Sequence, residues 1–319
     1  FVLIPFGLFG KTAFLAERVL GNVIASGVKV LVLAVIVGIG STLFDTFTRD
    51  FAGVAPTLEA VLAIALAALL FQSWTGTAAA DLPRDLARGA AATVVEVIDG
   101  DTVVLDTGGE VRLVGIQAPK LPLGRPNFKE WPLAREAKAE LEKLVLGRRV
   151  TLSHGGARGD RHGRILAHLH TEDGTWAQGE MLGRGLARVY TFPDNRAAAN
   201  EMLGRETAAR EAKLGIWTLG YYRVQDAEGK VGPPDTYQLV EGTVRQVADV
   251  RGRIFLNFGE DYRKDFTATV APKDARTFSA SGVDIESLQG KKLRLRGWLY
   301  ERNGPAMDLT HPEQVEVLE

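Results

Sequence analysis

The sequence contains no cysteine among its 319 residues, and its formal charge is only −1, from 38 Lys and Arg against 39 Asp and Glu. The absence of cysteine excludes disulfides, cysteine-ligated zinc, iron–sulfur centres and a thiolate nucleophile. The near-zero charge excludes a protein whose whole surface attracts nucleic acid, although a local basic cleft remains compatible with it. The length predicts about two domains at roughly 150 residues each.

Charged residues are scarce in the first quarter of the chain. Residues 1–80 contain four basic and four acidic residues, and the remaining 69 charged residues lie in 81–319. Two uncharged runs, 30–44 and 60–80, fall in this block. The first, with its flanks, approaches the roughly 20 residues that span a bilayer. The second fits a membrane helix, a signal peptide with small residues before a cleavage site after Ala80, or a buried core helix. We therefore expect apolar N-terminal helices in a membrane or signal segment, 1–80.

Part of this block resembles a known membrane family. The segments IPFGLFGKTAFLAERVLGN and VKVLVLAVIVGIGSTLF, within residues 1–70, are similar to TrbL proteins, the inner-membrane subunits of conjugative secretion channels. The resemblance implies a membrane contact through residues 1–80 and a location in the bacterial inner membrane. A cleaved signal peptide would instead export the rest to the periplasm or the exterior. The chain starts at Phe1 and its first methionine is Met181, which predicts a fragment, a processed end or a differently read start codon. Because the resemblance covers a fraction of such a protein and stops within the second uncharged run, we expect a fusion with a truncated membrane segment.

From Thr93 the sequence changes to short apolar–polar alternations separated by glycine-containing turns, which is typical of a small β-barrel. The pattern predicts strands over 93–98, 102–105, 110–116, 149–153 and 164–170, and helices over 133–146, 176–184 and 198–213. The expected domain here is 93–220, preceded by a linker, 81–92.

Five segments of this region occur in the order and spacing of a known enzyme family. VIDGDTVVL, VRLVGIQAPK, GDRHGRILAHL, GRGLARVY and EAKLGIW, within about residues 91–219, resemble the staphylococcal-nuclease (thermonuclease) domain. The resemblance implies a mainly β fold with α-helices, an OB-type five-stranded barrel with three helices. It also implies a Ca²⁺-dependent phosphodiester hydrolase, with nucleic acid as the partner and Ca²⁺ as the cofactor.

The family's site residues can be placed on this sequence one at a time. Asp101 of the DGDT turn matches a metal-ligand aspartate, and Asp99 matches its supporting neighbour. Arg112 and Arg164 match two arginines that hold the phosphate and stabilise its charge during catalysis. The chemistry requires these residue types, because Ca²⁺ takes oxygen ligands and arginine binds phosphate oxygens in a bidentate manner.

Two further family positions are altered. Gln117 stands where the family has a second metal-ligand aspartate, and Lys120 stands where it has the general-base glutamate. The two replacements change the local charge by +3. A protonated lysine cannot act as a general base, so the sequence predicts a degenerate active site. We hypothesise a metal-free anion pocket of Arg112, Arg164 and Lys120; the alternative is that Lys120 points to solvent.

The C-terminal region predicts a second barrel. After a linker, 221–236, strands are expected over 239–247, 253–257, 266–270, 291–300 and 315–318, with a helix over 272–280. Five strands and one helix indicate a small OB-like β domain, 237–319. The alternation in KKLRLRGW places Lys292, Arg294 and Arg296 on one strand face, which we interpret as a solvated face.

Three functions remain open on the sequence alone. The first is an exported or membrane-tethered protein that binds nucleic acid or another phosphate-bearing ligand, with hydrolysis impaired. The second is an active Ca²⁺-dependent nuclease that uses Asp101, Arg112 and Arg164 and recruits another carboxylate. Candidates for that carboxylate are Asp99, Asp106 and Glu136. The third is an accessory component of a conjugative secretion channel. No sequence pattern fixes an oligomeric state.

Overall fold

A computed structural model describes Pro83 and residues 85–318, which all belong to one compact unit, 77–319. The apolar helices and the membrane or signal segment expected in residues 1–80 lie outside the described residues. Among the residues that are described, no helix is long and apolar enough to cross a bilayer. This range forms two β-rich parts, each with its own apolar core.

The first part is a barrel with three helices. Its strands are β1 (Ala87–Asp99), β2 (Thr102–Leu105), β3 (Glu110–Leu113), β4 (Gly115–Gln117), β5 (Arg149–His154), β6 (Ile165–Thr171) and β7 (Arg188–Tyr190). Its helices are α1 (Ala134–Val145), α2 (Ala177–Gly183) and α3 (Ala199–Glu211). Five strands close the barrel in the order β1-β2-β3-β6-β5, and one core of strand and helix side chains fills it. The predicted OB-type barrel is confirmed.

One predicted strand ends early, and the chain changes direction there toward the candidate site. The expected strand 110–116 stops at Leu113, and Gly115 adopts a positive φ of 83°. A Cβ at Gly115 would lie 2.5 Å from the Met202 side chain, so glycine fits both the backbone angle and the close packing. Beyond it, β4 leaves the barrel and pairs with β7. The residues after β4 therefore lie beside the barrel rather than within its wall.

The second part is an eight-stranded sheet. Its strands are β8 (Gln225–Asp226), β9 (Tyr237–Thr243), β10 (Gln246–Val250), β11 (Arg253–Asn257), β12 (Thr267–Val270), β13 (Lys292–Glu301), β14 (Pro305–Leu309) and β15 (Val315–Leu318). The order is β10-β11-β12-β14-β13-β9-β8, with β15 also paired to β13. The helix α4 (Pro272–Ala280) has the predicted bounds.

This sheet has more strands than the five expected. The predicted strand 239–247 is two strands, because the pairing of β9 with β13 ends at Thr243 and β10 pairs with β11 instead. The strand β14 begins with Pro305 and shows no clear alternation, so its sequence resembles a turn. The segment 221–236 includes β8, which pairs with β9.

A buried ion cluster joins the two parts. Arg296 on β13 is fully buried, and its Nη2 and Nη1 lie 3.0 and 3.1 Å from the Glu206 carboxylate of α3. Glu316 on β15 also pairs with Arg296. The expectation of a solvated strand face is therefore wrong for Arg296, because this face of β13 meets α3. Arg294 pairs with Glu316 and Glu241, and 13% of its side chain is exposed.

Substitution of Arg296 should destabilise the protein strongly. Arg296→Met would remove the cation that binds both oxygens of the buried Glu206 carboxylate and leave Arg210 as its paired cation, at a cost of about 3–5 kcal/mol. The measurement is the free energy of unfolding from urea titration. The matched control is Arg135→Met, which removes an exposed arginine paired with Glu130 and should cost about 0–1 kcal/mol. Equal losses in the two variants would contradict the structural role of Arg296.

Three buried histidines should make folding depend on pH. Burial lowers the pKa of His168 to about 3 and the pKa values of His170 and His311 to about 4, against roughly 6.5 in an unfolded chain. Because the folded values are the lower ones, the unfolded chain binds protons first as the pH falls. Stability is therefore complete above about pH 6.5 and declines toward pH 4.

The variant His311→Gln tests this dependence. It should lose about 2 kcal/mol less stability than the parent between about pH 6.5 and 5, since each depressed histidine contributes roughly 1.4 kcal/mol per pH unit. Urea unfolding at about pH 7.5 and 5 measures the difference. Exposed His162 provides the control, because His162→Gln should retain the parent's dependence. The idea fails if the His311 variant and the parent respond equally to acid.

Candidate active site

The turn between β1 and β2 places two aspartates below the barrel surface. Asp101 is fully buried and Asp99 is 4% exposed. Asp99 Oδ1 accepts a hydrogen bond of 3.1 Å from the Asp101 backbone N–H. A Cβ on the intervening Gly100 would approach the Cβ atoms of Ala118 and Ala137 to 2.7 and 2.8 Å. Glycine at this position therefore lets the turn pack closely against α1 and the segment after β4.

Arg112 on β3 is the first cation of the site. Its Nη1 lies 3.1 Å from Asp101 Oδ1 and donates to the backbone oxygens of Asp101 and Leu113. Its Nη2 donates to the backbone oxygen of Ile116 at 2.7 Å. These contacts attach the guanidinium both to the aspartate turn and to β4, so they hold the two segments in register.

Lys120 is the second cation, and it lies between the two aspartates. Its Nζ is 3.0 Å from Asp99 Oδ2 and 2.5 Å from Asp101 Oδ1. The other oxygen of Asp101 accepts a 2.7 Å hydrogen bond from the Ala118 N–H. Only 19% of the Lys120 side chain is exposed, so the ammonium lies beside the aspartates and not in solvent.

These contacts shift the pKa values of the two aspartates in opposite directions. Burial alone would raise the pKa of Asp101, but the charges of Arg112 and Lys120, with the hydrogen bonds from Lys120 and Ala118, hold it well below its ordinary range. Burial and the nearby negative charge of Asp101 raise the pKa of Asp99, although Lys120 offsets part of that rise. Two positive and two negative groups leave the buried cluster electrically neutral.

The side-chain amide oxygen of Gln117 binds Arg188 and no residue of this cluster. Its Oε1 accepts hydrogen bonds of 3.0 and 2.7 Å from Nε and Nη2 of Arg188 on β7. Arg188 is 5% exposed, and burial lowers the pKa of its guanidinium. The sequence analysis missed Arg188; the signal was a lone arginine in the apolar strand LARVY. The pairing of β4 with β7, which the sequence does not show, brings these two residues together.

Arg164 lies in a turn of its own at the start of β6. Asp160 Oδ1 accepts the backbone N–H groups of His162 and Arg164, and its Oδ2 lies 2.7 Å from Arg164 Nη2. Glu110 on β3 is 3.8 Å from Arg164 Nη1. Asp160 thus orients the arginine, while 28% of the Arg164 side chain remains exposed.

The other carboxylates proposed from the sequence have different positions. Asp106 Oδ1 accepts the Thr93 N–H at 3.0 Å, so it fixes the end of a hairpin. Glu136 is exposed in the first turn of α1. Only Asp99, of the three candidates, lies beside Asp101.

The residues around Asp101 do not fit a calcium ion. Ca²⁺ requires six to eight oxygen ligands at about 2.3–2.6 Å. An ammonium nitrogen already lies within 3.0 Å of both carboxylates, and the amide of Gln117 is held by Arg188. Within 85–318, no group of three or more His, Asp or Glu side chains is arranged to hold a metal ion.

Comparison with known proteins agrees with both resemblances. Residues 110–219 match the model for staphylococcal nuclease homologues, and residues 1–76 match that for TrbL/VirB6 plasmid conjugal transfer proteins. A thermonuclease of Staphylococcus intermedius is 30% identical over 165 residues, 49% of this chain and 94% of that protein. The thermonuclease of Staphylococcus hyicus is 28% identical over 133 residues, which cover 39% of this chain and 74% of that protein.

A third relative also matches this chain. A probable endonuclease of Verticillium alfalfae is 34% identical over 148 residues, which cover 44% of this chain and 48% of that protein. The match with the S. intermedius enzyme spans nearly that whole protein, and the barrel has the expected five strands and three helices. The chain therefore belongs to the staphylococcal nuclease homologue family.

Proposed function

We propose that this protein binds nucleic-acid phosphate groups through its nuclease-like barrel, and that its phosphodiester hydrolysis is impaired. The observation that carries the proposal is the position of the Lys120 ammonium, 3.0 Å or less from carboxylate oxygens of Asp99 and Asp101. A cation of the chain itself thus satisfies the carboxylates that would otherwise serve a metal. An ammonium group is a donor without a free lone pair, so it cannot remove a proton from water.

The three cations support phosphate binding. Arg112, Lys120 and Arg164 keep 12, 19 and 28% of their side chains exposed, so each retains an edge that an anion can reach. The two arginines offer planar N–H donors that match phosphate oxygens, and they stay charged at any pH relevant to proteins. Asp99, Asp101 and Asp160 hold these cations in place, which reduces the entropy lost when a phosphate binds.

An active Ca²⁺-dependent nuclease is the competing function, because two relatives, a thermonuclease and a probable endonuclease, share the domain. It would require Lys120 to leave both aspartates. A second candidate, an accessory role at a conjugative channel, is supported by the TrbL/VirB6 match at residues 1–76. That match also supports a membrane-tethered location; recovery of the chain in the soluble fraction after lysis would contradict the tether.

The first test is cleavage of plasmid DNA and RNA by the full chain, with Ca²⁺ or with a chelator. We expect background cleavage in both conditions and the same nucleic-acid affinity in both, since the buried cluster is neutral without a metal. Arg164→Ala should weaken binding about 10- to 100-fold, the range for charged hydrogen bonds. Arg149→Ala, which changes an exposed arginine on β5, is the control. Ca²⁺-dependent cleavage that Arg164→Ala abolishes would establish the competing function.

The second test restores the family's carboxylates. In the Gln117→Asp, Lys120→Glu double variant, a carboxylate replaces the ammonium beside Asp99 and Asp101, so we expect Ca²⁺ binding by calorimetry and a Ca²⁺-dependent rise in Tm. The parent should show neither effect. Lys120→Gln is the control, because it removes the ammonium without adding a carboxylate. Stoichiometric Ca²⁺ binding by the parent would show that Lys120 does not take the place of the metal.

A further inference from the structure

The short strand β7 lies between β4 and the second part. Its central residue, Val189, pairs with Ile116 of β4. The Val189 N–H donates to the buried carboxylate of Glu206 on α3 at 2.6 Å, and its backbone oxygen accepts the hydroxyl of Tyr237 on β9 at 3.0 Å. In an antiparallel pair, residues that exchange no hydrogen bonds with each other direct their backbone groups to the outer edges. The helix α3 and the second part therefore bond the edge of β7 that lies away from β4.

The second part contacts three successive residues of this segment. Besides the bond to Val189, the Trp298 indole N–H donates to the Tyr190 hydroxyl at 2.9 Å. Next along the chain, Thr191 Oγ1 lies 2.8 Å from His311 Nε2. These contacts come from β9, from β13 and from the turn that follows β14. Three separate segments of the second part thus hold residues 189–191 in place.

On its other side, β4 bonds the groups of the candidate site. Ile116, opposite Val189, accepts a 2.7 Å hydrogen bond from Arg112 Nη2, and Arg112 Nη1 lies 3.1 Å from Asp101 Oδ1. The backbone N–H of Ala118, just beyond β4, donates to Asp101 Oδ2 at 2.7 Å. The position of β4 therefore determines where the Arg112 guanidinium lies relative to Asp101.

Side chains connect the same elements a second time. Gln117 of β4 accepts two hydrogen bonds from Arg188 of β7, and the Arg188 guanidinium carbon lies 4.9 Å from the centroid of the Tyr237 ring. A guanidinium within about 6 Å of an aromatic ring is attracted by the ring quadrupole. Tyr237 thus contacts β7 twice, through its hydroxyl on Val189 and through its ring on Arg188.

We infer that Tyr237 of the second part is a positioning residue for the phosphate site and acts on Arg112 through β7 and β4. A guanidinium held in its binding position loses less freedom when a phosphate arrives, so its support contributes to affinity. Arg164 provides a contrast within the same site, because Asp160 and Glu110 of the first part are the ion-pair partners of its side chain. The inference rests on the proposed function and gives the second part a role in it.

Tyr237→Phe tests the inference, because it removes the hydroxyl and keeps the ring beside Arg188. The probe is a fluorescein-labelled DNA strand of about 12 nucleotides, bound to the full chain and followed by anisotropy. We expect Tyr237→Phe to bind it about 3- to 10-fold more weakly than the parent, within the range for one lost hydrogen bond. Tyr300→Phe is the matched control and should bind like the parent, since the Tyr300 hydroxyl donates to Asp308 within the second sheet.

A double-variant cycle separates positioning from a general loss of structure. Arg112→Lys keeps a cation for Asp101 but loses the planar fork that also reaches Ile116, so Tyr237→Phe should change its affinity by less than about twofold. In the Arg164→Ala background, Tyr237→Phe should still weaken binding about 3- to 10-fold. A general loss of structure would lower affinity equally in both backgrounds. Circular dichroism establishes that each variant is folded, and Arg112→Gln replaces Arg112→Lys if the latter is unfolded.

The outcomes distinguish this inference from the proposed function. Parent-like affinity of Tyr237→Phe, or an equal effect of that change in the two backgrounds, would overturn the inference. The proposed function would stand in both cases, provided that Arg164→Ala still weakens binding. If the parent does not bind the probe, or if Arg112→Lys and Arg164→Ala both bind it like the parent, the proposed function and the inference fail together.

Discussion

The candidate site depends on one interaction, the sharing of the Lys120 ammonium between Asp99 and Asp101. The carboxylates of Asp99 and Asp101 lie in one buried turn, where the Asp101 backbone N–H donates to Asp99. Their negative charges repel each other, and a fold that contains them requires a cation. In this chain the cation is covalently attached. The Lys120 ammonium is therefore present at an effective concentration that a dissolved ion does not reach. The entropy lost in placing it between the aspartates is part of the free energy of folding. Arg112 completes the neutral cluster by linking Asp101 to the backbone of β4.

The sequence predicted most of the first barrel and less of the site. Strand and helix positions followed from alternation and helical spacing, as in α1, which lies within the predicted range 133–146. The motifs placed Asp99, Asp101, Arg112 and Lys120 together. They did not show where the side chain of Gln117 points, because that depends on β4 leaving the barrel and pairing with Arg188, 71 residues later.

The second part was harder to predict for a related reason. Alternation shows which residues of β13 share a face, but it does not show what that face contacts. Arg296 looked like a surface residue because arginine is rarely buried without a partner. Its partners, Glu206 and Glu316, lie 90 and 20 residues away in the sequence. A short strand that begins with proline, such as β14, likewise becomes regular only through its neighbours β12 and β13.

The contacts of Lys120 and Gln117, the two altered family positions, affect the charge of the site in the same direction. Lys120 supplies a positive charge to Asp99 and Asp101, whereas Gln117 withholds a negative charge from Arg188. A buried guanidinium beside a carboxylate would form a neutral pair, and beside an amide it keeps its charge. Lys120 thus gives both aspartates a cation that belongs to the chain, and Gln117 leaves a positive charge on Arg188, beside the rings of Trp131 and Tyr237. Under the proposed function, both changes favour holding an anionic strand over attacking it.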